Sequence, residues 1–129
     1  MGQPAAKQGD RVIALDPHLI QPPGPVSPVM VPHPFSGILN GNLSPTVKIQ
    51  GRAAATVDST ATNTPPHVPI GGTFVNPPTN RATVVLGSAT VKINGKAAAR
   101  MGDRADTCND AGIQAGGQIV AVSTVLIGG

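Results

Sequence analysis

The side chains best suited to bind a soft metal ion are the three histidines and the single cysteine, His18, His33, His67 and Cys108. Three imidazoles and one thiolate complete a tetrahedral zinc site without a water ligand, which is typical of structural zinc. None of the four is spaced as CxxC or HxxxH, the local patterns that indicate zinc most strongly. Spacing alone therefore leaves two interpretations open: a closed zinc site, or four ordinary loop side chains.

These side chains are distributed around a repeated unit. The segment TVKINGKAAARMGD at residues 90–103 resembles TVKIQGRAAATVDS at residues 46–59 without a gap. MGQPAAKQGD at residues 1–10 resembles the second half of the unit, and STVLIGG at residues 123–129 resembles the first half. A unit divided between the two ends of the chain indicates a ring rather than an open solenoid. We therefore expect a closed body with rough three-fold internal symmetry.

The repeat also relates the candidate ligands to one another. Aligning Ala5-Ala6 with Ala54-Ala55 places His18 on His67. Cys108 follows its own unit at a similar distance, while the remaining histidine aligns with no other position. Equivalent connections would therefore present two equivalent imidazoles and one thiol.

Each unit has the pattern of a β-hairpin. The run TVKI alternates and is rich in β-branched residues, and Asn94-Gly95 is a strong two-residue hairpin turn. We expect residues 124–127 to pair with residues 3–7, which would join the last strand to the first. The alternation predicts that Val47, Ile49, Val91, Ile93, Val125 and Ile127 form the core face, and that Lys48, Lys92 and Leu126 face outward.

The segments between the units are rich in proline. Residues 19–45 and 59–80 include the pairs Pro22-Pro23 and Pro65-Pro66, which predict extended loops without helix. A third, short loop follows Asp103 and carries Cys108. If the hairpins form one end of the molecule, the loops converge at the other, and we expect each of the four candidate ligands to lie in a loop. The sequence thus predicts an all-β fold, a small cone of β-hairpins with pseudo-three-fold symmetry, as a single domain over residues 1–129.

Composition argues against several kinds of partner. The net charge of +3 is small and dispersed, and the chain has no Trp or Tyr, so we expect no nucleic-acid binding. No run approaches about 18 consecutive apolar residues. No apolar segment follows a basic N-terminus, so we expect synthesis in the cytoplasm without a signal peptide. A single cysteine excludes an intrachain disulfide.

The sequence contains no recognisable catalytic set. There is no GxSxG, HExxH or phosphate-binding loop, and the chain has no Glu, so acid–base chemistry would depend on Asp alone. Gly9-Asp10 and Gly102-Asp103 recur at equivalent positions. We interpret them as turns in which the carboxylate accepts hydrogen bonds from nearby amides. The sequence therefore predicts a protein that is not an enzyme.

The repeated motif resembles that of a known family. It stands as PAAK at residues 4–7, AAAR at residues 97–100 and, most altered, AAAT at residues 53–56, each after or beside a TVxIxG strand. In this form the sequence resembles the PAAR-repeat family over nearly its whole length. The resemblance implies a cone with one structural Zn²⁺ near its tip, held by three His and one Cys. The matching residues in this sequence are His18, His33, His67 and Cys108.

The resemblance also implies a role. Such proteins sit on the blunt end of a trimeric β-helical spike in bacterial contractile injection machines such as the type VI secretion system, and they sharpen it for piercing a target envelope. The implied partners are the spike protein, effector proteins as further candidates, and a target membrane contacted only transiently. The protein would leave the cell as part of the injection apparatus. Two alternatives remain at this point: an adaptor that tethers an effector through the Pro-rich loops, and a small zinc hydrolase.

Overall fold

The computed structural model describes residues 2–129, which contain β-strands and no helix. Accordingly, this range holds no helix long and apolar enough to cross a membrane. The strands are β1 (Gln3–Pro4), β2 (Arg11–Gln21), β3 (Val29–Gly41), β4 (Lys48–Ile49), β5 (Arg52–Ala53), β6 (Thr60–Asn63), β7 (Thr73–Phe74), β8 (Arg81–Val84), β9 (Lys92–Ile93), β10 (Lys96–Ala97), β11 (Arg104–Asp106), β12 (Gly117–Val120) and β13 (Leu126–Ile127).

Six strands form a closed antiparallel sheet in the order β2, β3, β6, β8, β11 and β12. The sheet closes where β12 pairs with β2, with Ile119 opposite Val12. It consists of three hairpins, β2–β3, β6–β8 and β11–β12, and each of them follows one copy of the repeat. This arrangement confirms the predicted all-β, cone-like fold. The strand β7 adds to β2 at the end of the hairpin that is farthest from the repeats.

Three much smaller hairpins lie at the other end of the sheet, which we call the base. They are β4–β5, β9–β10 and β1–β13. In the second of these, Asn94 and Gly95 have positive φ angles of 53° and 80°, as a two-residue hairpin turn requires. The third joins the two ends of the chain, with Gln3 opposite Ile127. The predicted pairing of the last strand with the first is therefore confirmed.

A ring of backbone hydrogen bonds connects the three repeats. The N–H of Ala6 donates to the carbonyl of Ala99, that of Ala99 to Ala55, and that of Ala55 to Ala6, each at 3.0 Å. All three alanines are completely buried. Because three chain segments converge at this ring, only a small side chain fits between them. The ring explains the alanine-rich motif and confirms the three-fold arrangement.

Side chains in the turns fix the start of each of the three hairpins of the closed sheet. Asp10 accepts a hydrogen bond from the backbone N–H three residues earlier at 2.9 Å, and Asp103 does the same at 2.8 Å. In the most altered repeat the hydroxyl of Ser59 takes this place at 2.9 Å. The hydrogen bond to Asp103 also raises the pKa of Arg100. These contacts confirm that the recurring Gly-Asp pairs are turns.

The core has two layers. The interior of the closed sheet is filled mainly by aliphatic side chains and one phenylalanine, which include Val12, Phe35, Leu39, Val84 and Ile119. Under the small hairpins lies a second cluster with one alanine and one isoleucine from each unit: Ala5, Ile127, Ala54, Ile49, Ala98 and Ile93. The second layer separates the base from the sheet interior.

Part of the predicted core face is wrong. Ile49, Ile93 and Ile127 are buried as predicted, but Val47, Val91 and Val125 are 37%, 37% and 41% exposed. Each valine lies just outside a strand of only two residues, at the rim of the base, where no further layer covers it. Lys48, Lys92 and Leu126 face outward as predicted.

The prediction of a loop over residues 19–45 is also wrong, because β3 and the end of β2 occupy most of it. Prolines are tolerated within a strand only where their missing N–H faces away from the partner strand or at an edge. Pro32 and Pro34 lie opposite Pro17 and Leu15 of β2, in a part of β3 that has no second neighbouring strand. The prolines therefore mark an edge rather than a loop.

We predict that Ala99→Leu will destabilise the protein by about 2 kcal/mol or more, because the added atoms overpack the junction of three segments. The measurement is the free energy of unfolding in denaturant. Ala89→Leu is the matched control, since Ala89 is exposed and its substitution should cost little. Equal effects of the two substitutions would contradict the importance of tight packing at the ring.

Candidate metal centre

The candidate site lies on the inward face of the long β2–β3 hairpin, toward its far end. Along β2, the side chains of Val12, Asp16, His18 and Ile20 all face inward and are buried. Val12 belongs to the apolar core and Ala14 packs against it, whereas Asp16 and His18 occupy the following inward positions toward the far end of the sheet, which we call the apex. Strand alternation thus places polar groups where the apolar core ends.

Four side chains converge there, one ligand atom from each lying within 4.8 Å of the others: Asp16, His18, His67 and Cys108. The rings of His18 and His67 are 4.9 Å apart. The thiol sulfur of Cys108 lies 3.8 Å from Nε2 of His18. The structure therefore brings together three of the four predicted ligands and adds a carboxylate.

His33 lies beside this cluster. Its ring is 5.5 Å from that of His18 and 5.7 Å from that of His67, and it is buried. Its Nδ1–H donates to the carbonyl of Val31 at 2.8 Å, and its Nε2 accepts the N–H of Ile70 at 3.2 Å. Like His18, His33 lies on a strand and not in a loop, so that part of the prediction is wrong for both.

Asp16 is the group that sequence analysis missed. Its carboxylate accepts hydrogen bonds from the Thr107 hydroxyl, from His67 Nε2 at 3.2 Å and from the Cys108 thiol at 3.6 Å. The signal was present in the sequence, because Asp16 lies two residues before His18 and shares its face of the strand. Reading residues 11–21 as one continuous strand would have found it.

A second carboxylate orients His18. Asp110 accepts Nδ1–H of His18 at 3.3 Å and the N–H of Leu19 at 2.8 Å. The other ring nitrogen, Nε2, is then the one directed at Cys108. A carboxylate that fixes one imidazole nitrogen so that the other can bind a metal ion is a common arrangement in metal sites.

Burial controls the protonation of the cluster. Burial lowers the pKa of His67, which favours the neutral imidazole that a metal ion needs. Burial, followed by the charge of Asp16, raises the pKa of Cys108 and favours the thiol. A bound cation would oppose both effects on the thiol, because its positive charge stabilises the thiolate. The cluster can therefore hold a metal ion, and its nitrogen and sulfur donors suit a borderline or soft one.

We predict that Asp110→Ala will destabilise the protein by about 1–3 kcal/mol, because it leaves the N–H of Leu19 and a buried imidazole nitrogen without their acceptor. Asp110→Asn, which keeps one oxygen acceptor, should lose less. The measurement is the free energy of unfolding of each variant in the presence of a chelator. Equal stability of Asp110→Ala and the unsubstituted chain would contradict this assignment.

Comparison with known proteins agrees with the repeat. The chain matches the PAAR motif family over residues 21–110 and again over residues 75–129. The two matches overlap, and together they contain three of the four predicted ligands, His33, His67 and Cys108. No curated protein matches the chain. The chain belongs to the PAAR motif family, and it is therefore a PAAR-repeat protein of the kind found in type VI and other contractile injection systems.

Proposed function

We propose that this protein is a non-enzymatic spike tip, which caps a trimeric β-helical spike of a contractile injection system and directs its apex at the target envelope. The family match carries this proposal, and the three-fold base supports it. A single chain can cover the end of a symmetric trimer evenly only if its contact surface repeats three times. The three small hairpins provide such a surface.

The exposed valines are the best candidates for contact with the spike. Val47, Val91 and Val125 are equivalent in the repeat, and their exposed fractions agree within a few per cent, at 37%, 37% and 41%. In each unit the N–H of the alanine directly after the small hairpin donates to the carbonyl of this valine: Ala54 to Val47, Ala98 to Val91 and Ala5 to Val125. Three apolar side chains held in the same way form a ring that matches a trimer.

We also propose that His18, His33, His67 and Cys108 hold one structural Zn²⁺. The mutual distances of His18, His67 and Cys108 and their donor chemistry support this. The ring of His33 lies beside them, and to bind the ion its Nε2 must release the N–H of Ile70. Asp16 is the alternative to His33 as the fourth ligand of the ion. The ion would connect β2, β3 and the two loops that carry His67 and Cys108. Its role would be to stiffen the apex.

We predict about one zinc ion per chain in protein purified without added metal, and a lower zinc content with a lower Tm in Cys108→Ser. The measurements are elemental analysis and thermal unfolding. Ser27→Ala is the control, because Ser27 is exposed in the hairpin loop between β2 and β3. Well-folded protein with no bound metal would refute the zinc site while leaving the fold intact.

The visible absorption of cobalt-substituted protein distinguishes a site in which His33 is the fourth ligand from one in which Asp16 is. If His33 is a ligand, His33→Ala should change the tetrahedral cobalt bands, whereas Asp16→Asn should weaken binding and leave the band pattern intact. The reverse result would identify Asp16 as the fourth ligand.

We predict that Val91→Asp combined with Val47→Asp will weaken binding to the trimeric spike at least about tenfold, because the substitutions place charges in the apolar centre of the contact. Binding is measured by co-purification and by titration of the purified spike. Val26→Asp, at the apex, is the control. If the base variant bound as tightly as the control, the spike would contact another surface.

A further inference from the structure

The outward face of the β2–β3 hairpin is apolar from the middle of the molecule to the apex. Paired side chains on this face are Leu15 with Pro34, Pro17 with Pro32, and Leu19 with Met30. Leu15 is 63% exposed and Met30 is 46% exposed. The loop beyond them adds Val26, which is 51% exposed. We call these seven residues the apical surface.

No Asp, Glu, Lys or Arg occurs in residues 17–47 or 59–80. All charged side chains of the chain therefore lie outside the segments that form the apex of the hairpin and the loop beside it. Two carboxylates adjoin residues of the apical surface: Asp16, which is buried on the opposite side of β2, and Asp110, which accepts hydrogen bonds from His18 and Leu19. Neither presents an unpaired charge to this surface.

The backbone of the apical surface also has few free hydrogen-bond donors. In an antiparallel pair, residues alternate between bonding to the partner strand and pointing away from it. The carbonyl of Pro17 accepts from Asp110, and that of Leu19 accepts from Val75, so these residues and their partners in β3 point away from each other. The partner of Pro17 is Pro32, and Pro34 occupies the next such position. Neither has an N–H, so the free edge of β3 offers few hydrogen-bond donors.

We propose that the apical surface binds directly to the hydrocarbon region of a lipid bilayer, an inference that rests on the proposed piercing role. Hydrocarbon penalises charges and unpaired backbone donors, and this surface presents almost none of either. A peptide that added as a strand would need the donors that Pro32 and Pro34 remove. The aromatic and arginine side chains that dominate protein interfaces are absent from it as well. A bilayer is therefore the partner that these side chains fit.

The same composition predicts the kind of lipid. Attraction to anionic headgroups requires Lys or Arg near the membrane, and the apical segments have neither. Binding should therefore be similar for neutral phosphatidylcholine vesicles and for vesicles that also contain phosphatidylglycerol. It should also change little with salt concentration.

Because the chain has no Trp, a single introduced Trp reports its own surroundings without background. In Met30→Trp we expect phosphatidylcholine vesicles to shift the emission to the blue, and lipids brominated in their acyl chains to quench it. Val122→Trp is the control, since Val122 is 80% exposed and lies outside the apical segments. Unchanged emission of Met30→Trp at saturating lipid, or equal quenching of both variants, would overturn the inference.

Charge substitutions test the same surface by vesicle flotation. Val26→Lys combined with Met30→Lys should reduce the vesicle-bound fraction at least about tenfold, because lysine is costly in hydrocarbon. Val122→Lys should leave it unchanged. Spike binding by the same variants separates the two proposals. Protein that binds the spike but not vesicles refutes only lipid binding, and protein that binds vesicles but not the spike refutes only the docking role.

Discussion

The structure depends on the closed ring of hydrogen bonds among Ala6, Ala55 and Ala99. Each alanine donates to one repeat and accepts from the other, so the three repeats hold one another in equivalent orientations. Because equivalent orientations are imposed at this point, each repeat directs its small hairpin toward the base and its following strand into the closed sheet. Tight packing around the ring leaves no room for larger side chains, which accounts for an alanine-rich motif inside a β fold, where alanine has little intrinsic preference.

The base and the apex, on either side of this ring, differ in symmetry and in the kind of side chains they contain. The base repeats its surface three times, and exposed Lys48 and Lys92 directly follow two of its valines in the sequence. Toward the apex the three hairpins become unequal, because β2–β3 is much longer than the other two. The main apolar cluster stops below His18, where side chains with nitrogen, oxygen and sulfur atoms enter the interior, and the buried Ile20 lies beyond them. A single chain thereby combines a surface suited to a symmetric partner with an asymmetric point.

Sequence alone predicted the elements that repeat. The small hairpins, the joining of the two ends and the closed three-fold body follow from patterns written more than once, so each copy supported the others. The long strands were missed because Pro32 and Pro34 have the composition of a loop, and only the missing neighbour of β3 shows why a strand tolerates them. Asp16 was missed for the same reason, since its orientation toward His18 follows from the strand. The exposure of Val47 depends on where the next layer of the molecule ends, which local alternation does not encode.

The closure of the sheet has a consequence for how the protein reaches its native state. The joint between β2 and β12 pairs Ile13 with Gln118, residues from opposite ends of the sequence. Closing so long a segment costs conformational entropy, and this cost is offset only when the contacts between β2 and β12 form. Proteins dominated by such distant pairings fold slowly for their size. The β2–β3 hairpin, whose partners are close in sequence, can form early, whereas the joint with β12 completes the fold. The base, whose third small hairpin pairs the first strand with the last, is then complete only after this slow final step.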